Sequence, residues 1–313
     1  METRRIGSLT VSLVGLGCNN FGWRIGAQES AAVIHAAIDC GINFFDTADV
    51  YGLGQSEEFM GRALGPRRQE VLIATKFGMK LDDQRLGGAK PEYVRRAVED
   101  SLRRLQTDRI DLYQIHKPDP ETPIADTLGA LDELVRAGKV REIGCSNFSA
   151  EQLKQAAAVV KSGAARFVSV QNDYSLVKRD PEAEVLPECV RQGIGFIPYF
   201  PLANGLLTGK YRQGQAIPEG SRAHAGFGPK VFTEGNLALV ESLIRFAESR
   251  GHTLLELAMS WLACQPAVAS VIAGAKTVEQ VKANAAAAGW RLSEGELSEV
   301  RRLVAAPGTS ATA

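Results

Sequence analysis

Short apolar segments alternate with longer amphipathic segments along almost the whole chain. The apolar segments predict eight strands, at residues 13–16, 42–45, 71–75, 112–115, 142–145, 167–170, 195–199 and 270–272. These segments are rich in β-branched residues and nearly all apolar, which is typical of parallel strands covered on both faces. Eight such strands with helices between them favour a closed parallel barrel, the (β/α)8 TIM barrel, over other α/β folds.

Helical periodicity predicts the segments that connect these strands. We expect helices at residues 29–40, 56–64, 91–105, 124–137, 150–160, 181–191, 235–250, 254–263, 278–287 and 294–303. Glycines follow four of these helices, Ser149 is a suitable N-cap, and Pro91 and Pro123 stand at first-turn positions. The strands and helices therefore alternate as a barrel requires.

Two segments stand outside this alternation. Residues 4–11 predict a β-hairpin that turns at Gly7 and Ser8, and we expect this hairpin to close the bottom of the barrel. Residues 204–232 carry glycine and proline with weak periodicity, which predicts a long functional loop over the C-terminal face. No linker or internal repeat divides the chain, so we expect residues 1–313 to form one domain.

Composition narrows the class of function. The chain has 313 residues, 45% of them hydrophobic, and its 36 acidic and 36 basic residues cancel. This balance argues against nucleic-acid and membrane partners. Five widely spaced cysteines without a C-x-x-C pair predict neither a disulfide framework nor a metal site, and they suit the reducing cytoplasm. Nothing in the composition indicates the oligomeric state.

Polar residues close three consecutive predicted strands. Asp46, Lys76 and His116 follow the second, third and fourth strands, and Tyr51 comes five residues after Asp46. Because the C-terminal ends of barrel strands form the working face of such enzymes, we expect these four side chains to meet there. Each residue alone has ordinary structural explanations, and it is their joint occurrence that predicts a site.

These four groups suit the reduction of a carbonyl. A hydride added to the carbon leaves negative charge on the oxygen, which then needs a proton. Tyr51 is the predicted general acid, and an ammonium such as that of Lys76 is expected to lower its pKa. Asp46 would balance the lysine in a desolvated site, and His116 would orient the substrate oxygen.

The motifs around these residues resemble those of the aldo-keto reductase family. Residues 41–52 read GINFFDTADVYG, and the later matching segments are IATK at 73–76, DLYQIH at 111–116, GKVREIGCSNF at 138–148 and VQNDYS at 170–175. The similarity runs from about residue 14 to residue 284. It implies an (α/β)8 barrel, NADPH-dependent reduction of aldehydes and ketones, and a catalytic tetrad at Asp46, Tyr51, Lys76 and His116.

The resemblance also implies where the cofactor binds. Ser146, Asn147 and Gln171 would hold the nicotinamide carboxamide, and Tyr199 would stack on its ring. The remaining positions implied for ribose, phosphate, adenine and nearby contacts are Cys18, Asn19, Gln28, Phe200, Pro201, Leu202, Ala203, Asn204, Lys210, Arg222, Gly274, Lys276, Gln280 and Asn284. Lys276 at a helix start would meet the 2′-phosphate. Few further cations accompany it, so NADPH is favoured while NADH is possible.

The sequence also predicts residues of the substrate pocket and leaves three other functions open. Trp23, Tyr51, Phe77, His116 and Lys117 are expected to line the substrate pocket. The same residues would serve alcohol or sugar oxidation in the reverse direction. A cofactor-binding regulatory module, similar to potassium-channel β-subunits, is less favoured because those proteins characteristically lack the histidine found here at 116. A lysine Schiff-base aldolase that uses Lys76 would leave Tyr51 without a role.

Overall fold

Eight parallel strands form a barrel at the centre of the molecule. The computed structural model describes residues 1–80, 87–216, 218–219 and 231–305. After a hairpin of β1 (Thr3–Ile6) and β2 (Leu9–Ser12), the barrel strands are β3 (Val14–Gly17), β4 (Phe44–Asp46), β5 (Leu72–Phe77), β6 (Ile110–Ile115), β7 (Val140–Ser146), β8 (Phe167–Asp173), β9 (Gly195–Tyr199) and β10 (Val271–Gly274). Neighbours in the sheet follow chain order, and β10 pairs with β3.

The barrel closes between its last two strands without a ladder. Within the described residues, β9 meets the segment just before β10 through one bridge, between Phe196 and Val268. The Phe196 amide donates to the Ala267 carbonyl at 2.7 Å, and the Ala269 amide donates to the Phe196 carbonyl at 2.9 Å. The predicted TIM barrel is therefore confirmed, with this junction as its seam.

Helices cover the outside of the barrel. They are α1 (Ala27–Asp39), α2 (Gln55–Leu64), α3 (Pro91–Leu105), α4 (Ile124–Arg136), α5 (Ala150–Val159), α6 (Val185–Gln192), α7 (Glu234–Glu248), α8 (Leu254–Ala263), α9 (Val278–Ala287) and α10 (Glu294–Ala305). Ser149 caps α5 as predicted and accepts from the Gln152 amide, whereas Pro123 is the N-cap of α4 and not its first residue. No helix among the described residues has the length and apolar character needed to cross a membrane.

The N-terminal hairpin closes the bottom of the barrel, as its position in the sequence predicts. Ile6, Leu9 and Val11 are fully buried and pack with inward-facing strand residues such as Phe44 and Leu112. At the turn, the Ser8 amide donates to the Glu142 carboxylate at 2.6 Å, at the start of β7. The opposite end of the barrel is thereby left as the open end.

α2 and α3 pack so closely at Gly61 that this position has no room for a side chain. A Cβ atom on Gly61 would lie 2.5 Å from the Arg104 carbonyl oxygen. We expect Gly61→Ala to lower the free energy of unfolding by about 1–3 kcal/mol through overpacking. The matched control is Gly129→Ala in α4, where an added Cβ meets nothing within 4 Å and should stabilise by about 0.5–1 kcal/mol. Urea unfolding of both variants tests this, and equal shifts would contradict it.

Candidate active site

A cavity of about 940 Å³ opens at the C-terminal ends of the barrel strands. Its size suits a cofactor and a small substrate together. Most of the sequence-predicted site residues line it: Cys18, Asn19, Asp46, Tyr51, His116, Lys117, Ser146, Asn147, Gln171, Tyr199, Phe200, Pro201, Leu202, Asn204, Lys210, Gly274, Lys276, Gln280 and Asn284.

A buried ion pair lies at the floor of this cavity. The Lys76 ammonium donates to Asp46 Oδ1 at 2.6 Å and to the Thr47 carbonyl at 2.8 Å. The Lys76 side chain is fully buried and that of Asp46 nearly so. Asp46 Oδ2 accepts from Gln171 Nε2 at 2.8 Å and from Gln114 Nε2 at 3.3 Å. Hydrogen bonds to both carboxylate oxygens offset much of the cost of removing this pair from water.

Strand register brings these side chains to one level of the barrel. Lys76 on β5 lies beside Gln114 on β6, and Ser146 on β7 lies beside Gln171 on β8. Neighbouring residues of parallel strands point to the same face, and Lys76, Gln114 and Gln171 all reach the interior. A layer of polar side chains therefore replaces the apolar filling of the barrel near its open end.

A left-handed turn carries Tyr51. Gly52, Leu53 and Gly54 have φ values of 57°, 56° and 97°, and this turn links β4 to α2. The Lys76 ammonium lies 5.3 Å from the centroid of the Tyr51 ring, and the His116 ring packs edge-on against it at 5.9 Å. The phenol is thus held next to both the ammonium and the imidazole.

Burial decides the protonation of the phenol. Desolvation raises the pKa of the Tyr51 hydroxyl more than the charge of Lys76 and its hydrogen bond lower it. The expected lowering by Lys76 is therefore present, but burial outweighs it. The hydroxyl keeps its proton at neutral pH and is a hydrogen-bond donor there.

The two groups next to the phenol, His116 and Lys76, differ in charge at neutral pH. Burial, followed by the charges of Lys76 and Lys117, lowers the pKa of His116 to about 3. Burial also opposes the charge of Lys76, but Asp46 and Tyr51 outweigh it and raise its pKa. A neutral imidazole and a charged ammonium therefore face the phenol at neutral pH. The Nδ1 atom of His116 is buried without a partner among the described residues, which leaves Nε2 as the ring nitrogen toward the cavity.

A hydrogen-bonded chain forms the adjoining wall. The Ser146 hydroxyl donates to the Gln171 carbonyl at 2.8 Å, and Asn147 Nδ2 donates to the Ser146 hydroxyl at 3.1 Å. The Tyr199 hydroxyl donates to Asn147 Oδ1 at 2.8 Å. Because Gln171 also donates to Asp46, this wall is continuous with the ion pair at the floor.

The far end of the cavity lies at the start of α9. Thr277 caps this helix by accepting from the Gln280 amide, and Gln280 Oε1 accepts from the Lys276 amide at 2.8 Å. Lys276, Gln280 and Asn284 all line the cavity here, and Lys210 lines it as well. A helix N-terminus with two lysines along the way suits a ligand that carries several negative charges.

Some predicted site residues lie elsewhere. Phe77 is fully buried outside the barrel and stacks on Tyr113 at 4.8 Å, because β5 continues to Phe77 and alternation turns its side chain away from that of Lys76. Gln28 is exposed in the first turn of α1, Ala203 is buried beside the cavity, and Trp23 is 49% exposed near its mouth. None of these four lines the cavity. Arg222, and with it the expected contribution of the loop around it, lies outside the described residues.

Other cavity residues escaped the sequence analysis. They are Gly17, Asn20, Arg24, Met79, Gly205, Thr208, Pro218, Glu219, Leu255, Ile272, Ala273 and Ala283. Gln114 was also missed, although a polar side chain within an apolar strand is a recognisable signal of an interior hydrogen bond. The loop residues carry no comparable signal, because only the path of the chain brings them to the cavity.

Comparison with known proteins agrees with this geometry. The family model described as "Aldo/keto reductase family" matches residues 13–305. The chain belongs to the aldo/keto reductase family. The resemblance inferred from the sequence motifs is therefore confirmed over nearly the whole chain.

Two family members from different organisms are similar to this chain over nearly its whole length. The chain is 36% identical over 311 residues to the aldo-keto reductase yakc [NADP(+)] of Schizosaccharomyces pombe, with 96% of this chain and 91% of that protein covered. It is 36% identical over 310 residues to the aldo-keto reductase YhdN of Bacillus subtilis, with 95% and 91% covered.

Solved structures of family members share the fold. The glycerol dehydrogenase AKR11B4 from Gluconobacter oxydans superposes with a TM-score of 0.84 at 34% identity, covering 97% of this chain and 95% of that one. The holo form of the aldo-keto reductase AKR11C1 from Bacillus halodurans superposes with a TM-score of 0.80 at 32% identity, covering 97% and 96%. The barrel is thus shared with these family members.

Proposed function

We propose that this family member reduces aldehydes and ketones with NADPH and that Tyr51 is the general acid. The observation that carries the proposal is that Tyr51, Asp46 and a neutral His116 line one cavity, while the fully buried Lys76 pairs with Asp46 next to the Tyr51 ring. Carbonyl reduction needs a proton donor and a hydrogen-bond donor at the developing alkoxide.

The cavity suits a nicotinamide dinucleotide. Ser146, Asn147 and Gln171 offer amide and hydroxyl groups beside the tetrad, and Tyr199 contributes a ring to the same wall. Lys210 and the start of α9 at Lys276 supply positive charge farther along. The Schizosaccharomyces pombe relative carries NADP(+) in its name, which supports NADPH for this chain. NADH is a second candidate cofactor, because few other cations accompany Lys276 at the expected 2′-phosphate position.

The side chains divide the chemical work. The bound nicotinamide supplies the hydride that reduces the carbonyl carbon. The protonated Tyr51 hydroxyl and the Nε2–H of neutral His116 donate hydrogen bonds to the carbonyl oxygen, so the oxygen is held between them. As negative charge develops there, Tyr51 transfers its proton, and the nearby Lys76 ammonium stabilises the phenolate that remains. Asp46 holds Lys76 in place and balances its charge.

Oxidation of an alcohol is the second candidate. It uses the same residues in reverse, and the structural neighbour from Gluconobacter oxydans is named a glycerol dehydrogenase. Schiff-base chemistry is disfavoured because a nucleophilic amine must be neutral, whereas the pKa of Lys76 is raised by its partners. The presence of His116 argues against a purely regulatory module, because the potassium-channel β-subunits characteristically lack this histidine.

The test is a turnover assay in both directions. Purified protein is mixed with NADPH or NADH and a panel of aliphatic, aromatic and sugar aldehydes and ketones, and the absorbance of the reduced nicotinamide is followed. The corresponding alcohols are tested with the oxidised cofactors. Turnover of carbonyls with NADPH supports the proposal. Tight cofactor binding without turnover of any compound would favour the regulatory module instead.

Lys276 should decide between the two cofactors. We expect Lys276→Ala to weaken NADPH binding roughly tenfold or more, the loss typical of a charge-assisted contact, and to change NADH binding little. The matched control is Lys282→Ala, which removes an exposed lysine of α9 outside the cavity lining. Fluorescence titration of the native protein and both variants with each cofactor gives the six dissociation constants. An equal loss for both cofactors would mean that Lys276 does not contact the 2′-phosphate.

A further inference from the structure

Asp49 lies in the motif between Asp46 and Tyr51 but has no part in the proposed chemistry. It is 1% exposed, and its amide donates to the Lys76 carbonyl at 3.1 Å. Neither oxygen of its carboxyl group has a side-chain partner among the described residues, and the nearby Val50 amide makes at most a poorly aligned contact with it. A buried carboxyl group without partners is costly when ionised, so its presence beside the tetrad calls for a physical reason.

A second buried carboxyl group already takes the nearby cation. Glu57 in α2 accepts from the Arg104 guanidinium at 2.7 Å and from the Thr75 hydroxyl at 2.5 Å. Arg104 also donates to Ser101 at 3.3 Å. Two acids therefore share one guanidinium, and the contacts assign it to Glu57 and leave Asp49 without one.

The groups around Asp49 come from four elements. They are Lys76 on β5, Glu57 on α2, Tyr93 and Arg104 on α3 with Arg96 and Asp100 farther out, and Tyr113 on β6. Burial, followed by the negative charge of Glu57, raises the pKa of Asp49 from 3.8 to about 8, and Arg104 and Lys76 offset only part of this effect. At neutral pH the uncharged form prevails.

The segment around Asp49 sets the distance between Tyr51 and Lys76. The Thr47 amide donates to the Ala74 carbonyl at 2.8 Å, the Asp49 amide donates to the Lys76 carbonyl, and the Tyr51 amide donates to the Ala48 carbonyl. The backbone of this turn is therefore tied directly to β5. The Asp49 side chain is buried near Glu57 of α2 and Arg104 of α3.

We propose that Asp49 is a positioning residue that holds the Tyr51 turn only while its carboxyl group carries a proton. When it ionises beside Glu57, the two carboxylates repel and the charged group seeks water. The turn then moves away from β5, and Tyr51 separates from Lys76. The catalytic part of this inference depends on the proposed role of Tyr51, whereas the protonation state of Asp49 does not.

The pH profile of kcat tests the positioning role. We expect kcat of the native enzyme to fall about tenfold per pH unit above pH 8, the slope of a single ionisation. Asp49→Asn is neutral at every pH, so it should keep kcat within about twofold at pH 7 and lose this decline. Asp108→Asn, a change at an exposed aspartate, is the matched control and should retain the native profile. An Asp49→Asn variant with the native decline, or with little activity at any pH, would overturn the proposal.

Infrared spectroscopy tests the protonation of Asp49 without turnover. Infrared difference spectra of protein labelled with ¹³C-aspartate should show a protonated carboxyl band that persists at pH 7 and disappears above about pH 8. The band should be missing from Asp49→Asn, which separates it from that of Asp173, whose pKa is also raised, to about 6. The lack of such a band in the native protein at pH 7 would overturn the proposal. Failure of Tyr51→Phe to lower turnover would instead overturn the proposed function and leave the infrared result standing.

Stability should change with pH in a defined direction. The carboxyl group ionises near pH 4 in the unfolded chain but near pH 8 in the folded one, so its contribution to stability is complete below pH 4 and is lost between pH 4 and pH 8. Asp49→Asn has no such loss. The urea midpoint of the variant relative to the native protein should therefore rise steadily from pH 5 to pH 8, and a pH-independent difference would contradict the inference.

Discussion

Tyr51→Phe is expected to lower kcat for carbonyl reduction by about 10² or more while cofactor binding stays intact. The change removes only the hydroxyl, which is protonated at neutral pH and lies beside Lys76 and His116. The ring still packs against His116, so the cavity keeps its shape. A hundredfold loss corresponds to about 2.7 kcal/mol of transition-state stabilisation. Steady-state kinetics with NADPH and fluorescence titration of the cofactor measure the two effects.

The matched control for this variant is Tyr174→Phe. Its hydroxyl donates to Glu182 at 2.9 Å, and the residue does not line the cavity. We expect it to cost some stability and to leave kcat near the native value. If Tyr51→Phe turned over at the native rate, another group would have to supply the proton.

Lys76→Met is expected to reduce stability by about 3–5 kcal/mol and to abolish turnover. The ammonium is fully buried and donates to Asp46 and to the Thr47 carbonyl. Methionine fills most of the volume of the lysine stem but leaves a buried carboxylate without its cation, which is the costly way to break such a pair. Urea unfolding gives the stability, and the carbonyl assay gives the activity.

A double variant separates the two consequences of losing Lys76. Asp46→Asn together with Lys76→Met removes both charges, so we expect much of the lost stability to return. Gln114 and Gln171, which donate to Asp46, then face a neutral amide oxygen. Activity should remain lost, because the cation near Tyr51 is still missing. Native stability in the Lys76→Met single variant would show that the ion pair contributes little to the fold.

The fold was predictable because the barrel leaves a simple trace in the sequence. Strands covered on both faces are continuous apolar segments, and the helices between them keep their own periodicity and caps, as at Ser149. The meeting of polar side chains at the open end of the barrel was predictable for the same reason, since a polar residue at the end of an apolar segment stands out. Asp46, His116 and Ser146 were placed at this end in this way.

Side-chain direction near strand ends was harder to predict. β5 ends at Phe77, two residues beyond the predicted end of this strand at residue 75. Phe77 therefore follows the alternation of the strand and faces the outer layer and not the cavity. The apolar pattern of the sequence does not define where the strand ends. Asp49 presents a related difficulty. A charged residue after a strand is usually expected in solvent, and only the packing of α2 and α3 over it makes it buried. The pKa of Tyr51 likewise depends on burial, which the sequence does not show.

The seam between β9 and β10 would give a cofactor bound in the cavity a mechanical role. The chain after β9, including Phe200 and Asn204, forms one wall of the cavity, and the chain after β10, from Lys276 to Asn284, forms another. A ligand that binds both walls fastens together two strands that share no ladder of their own. Local opening of the barrel would begin at this seam, so occupancy of the cavity should slow hydrogen exchange of the Phe196 and Ala269 amides. The dinucleotide would then complete the barrel as well as serve its chemistry.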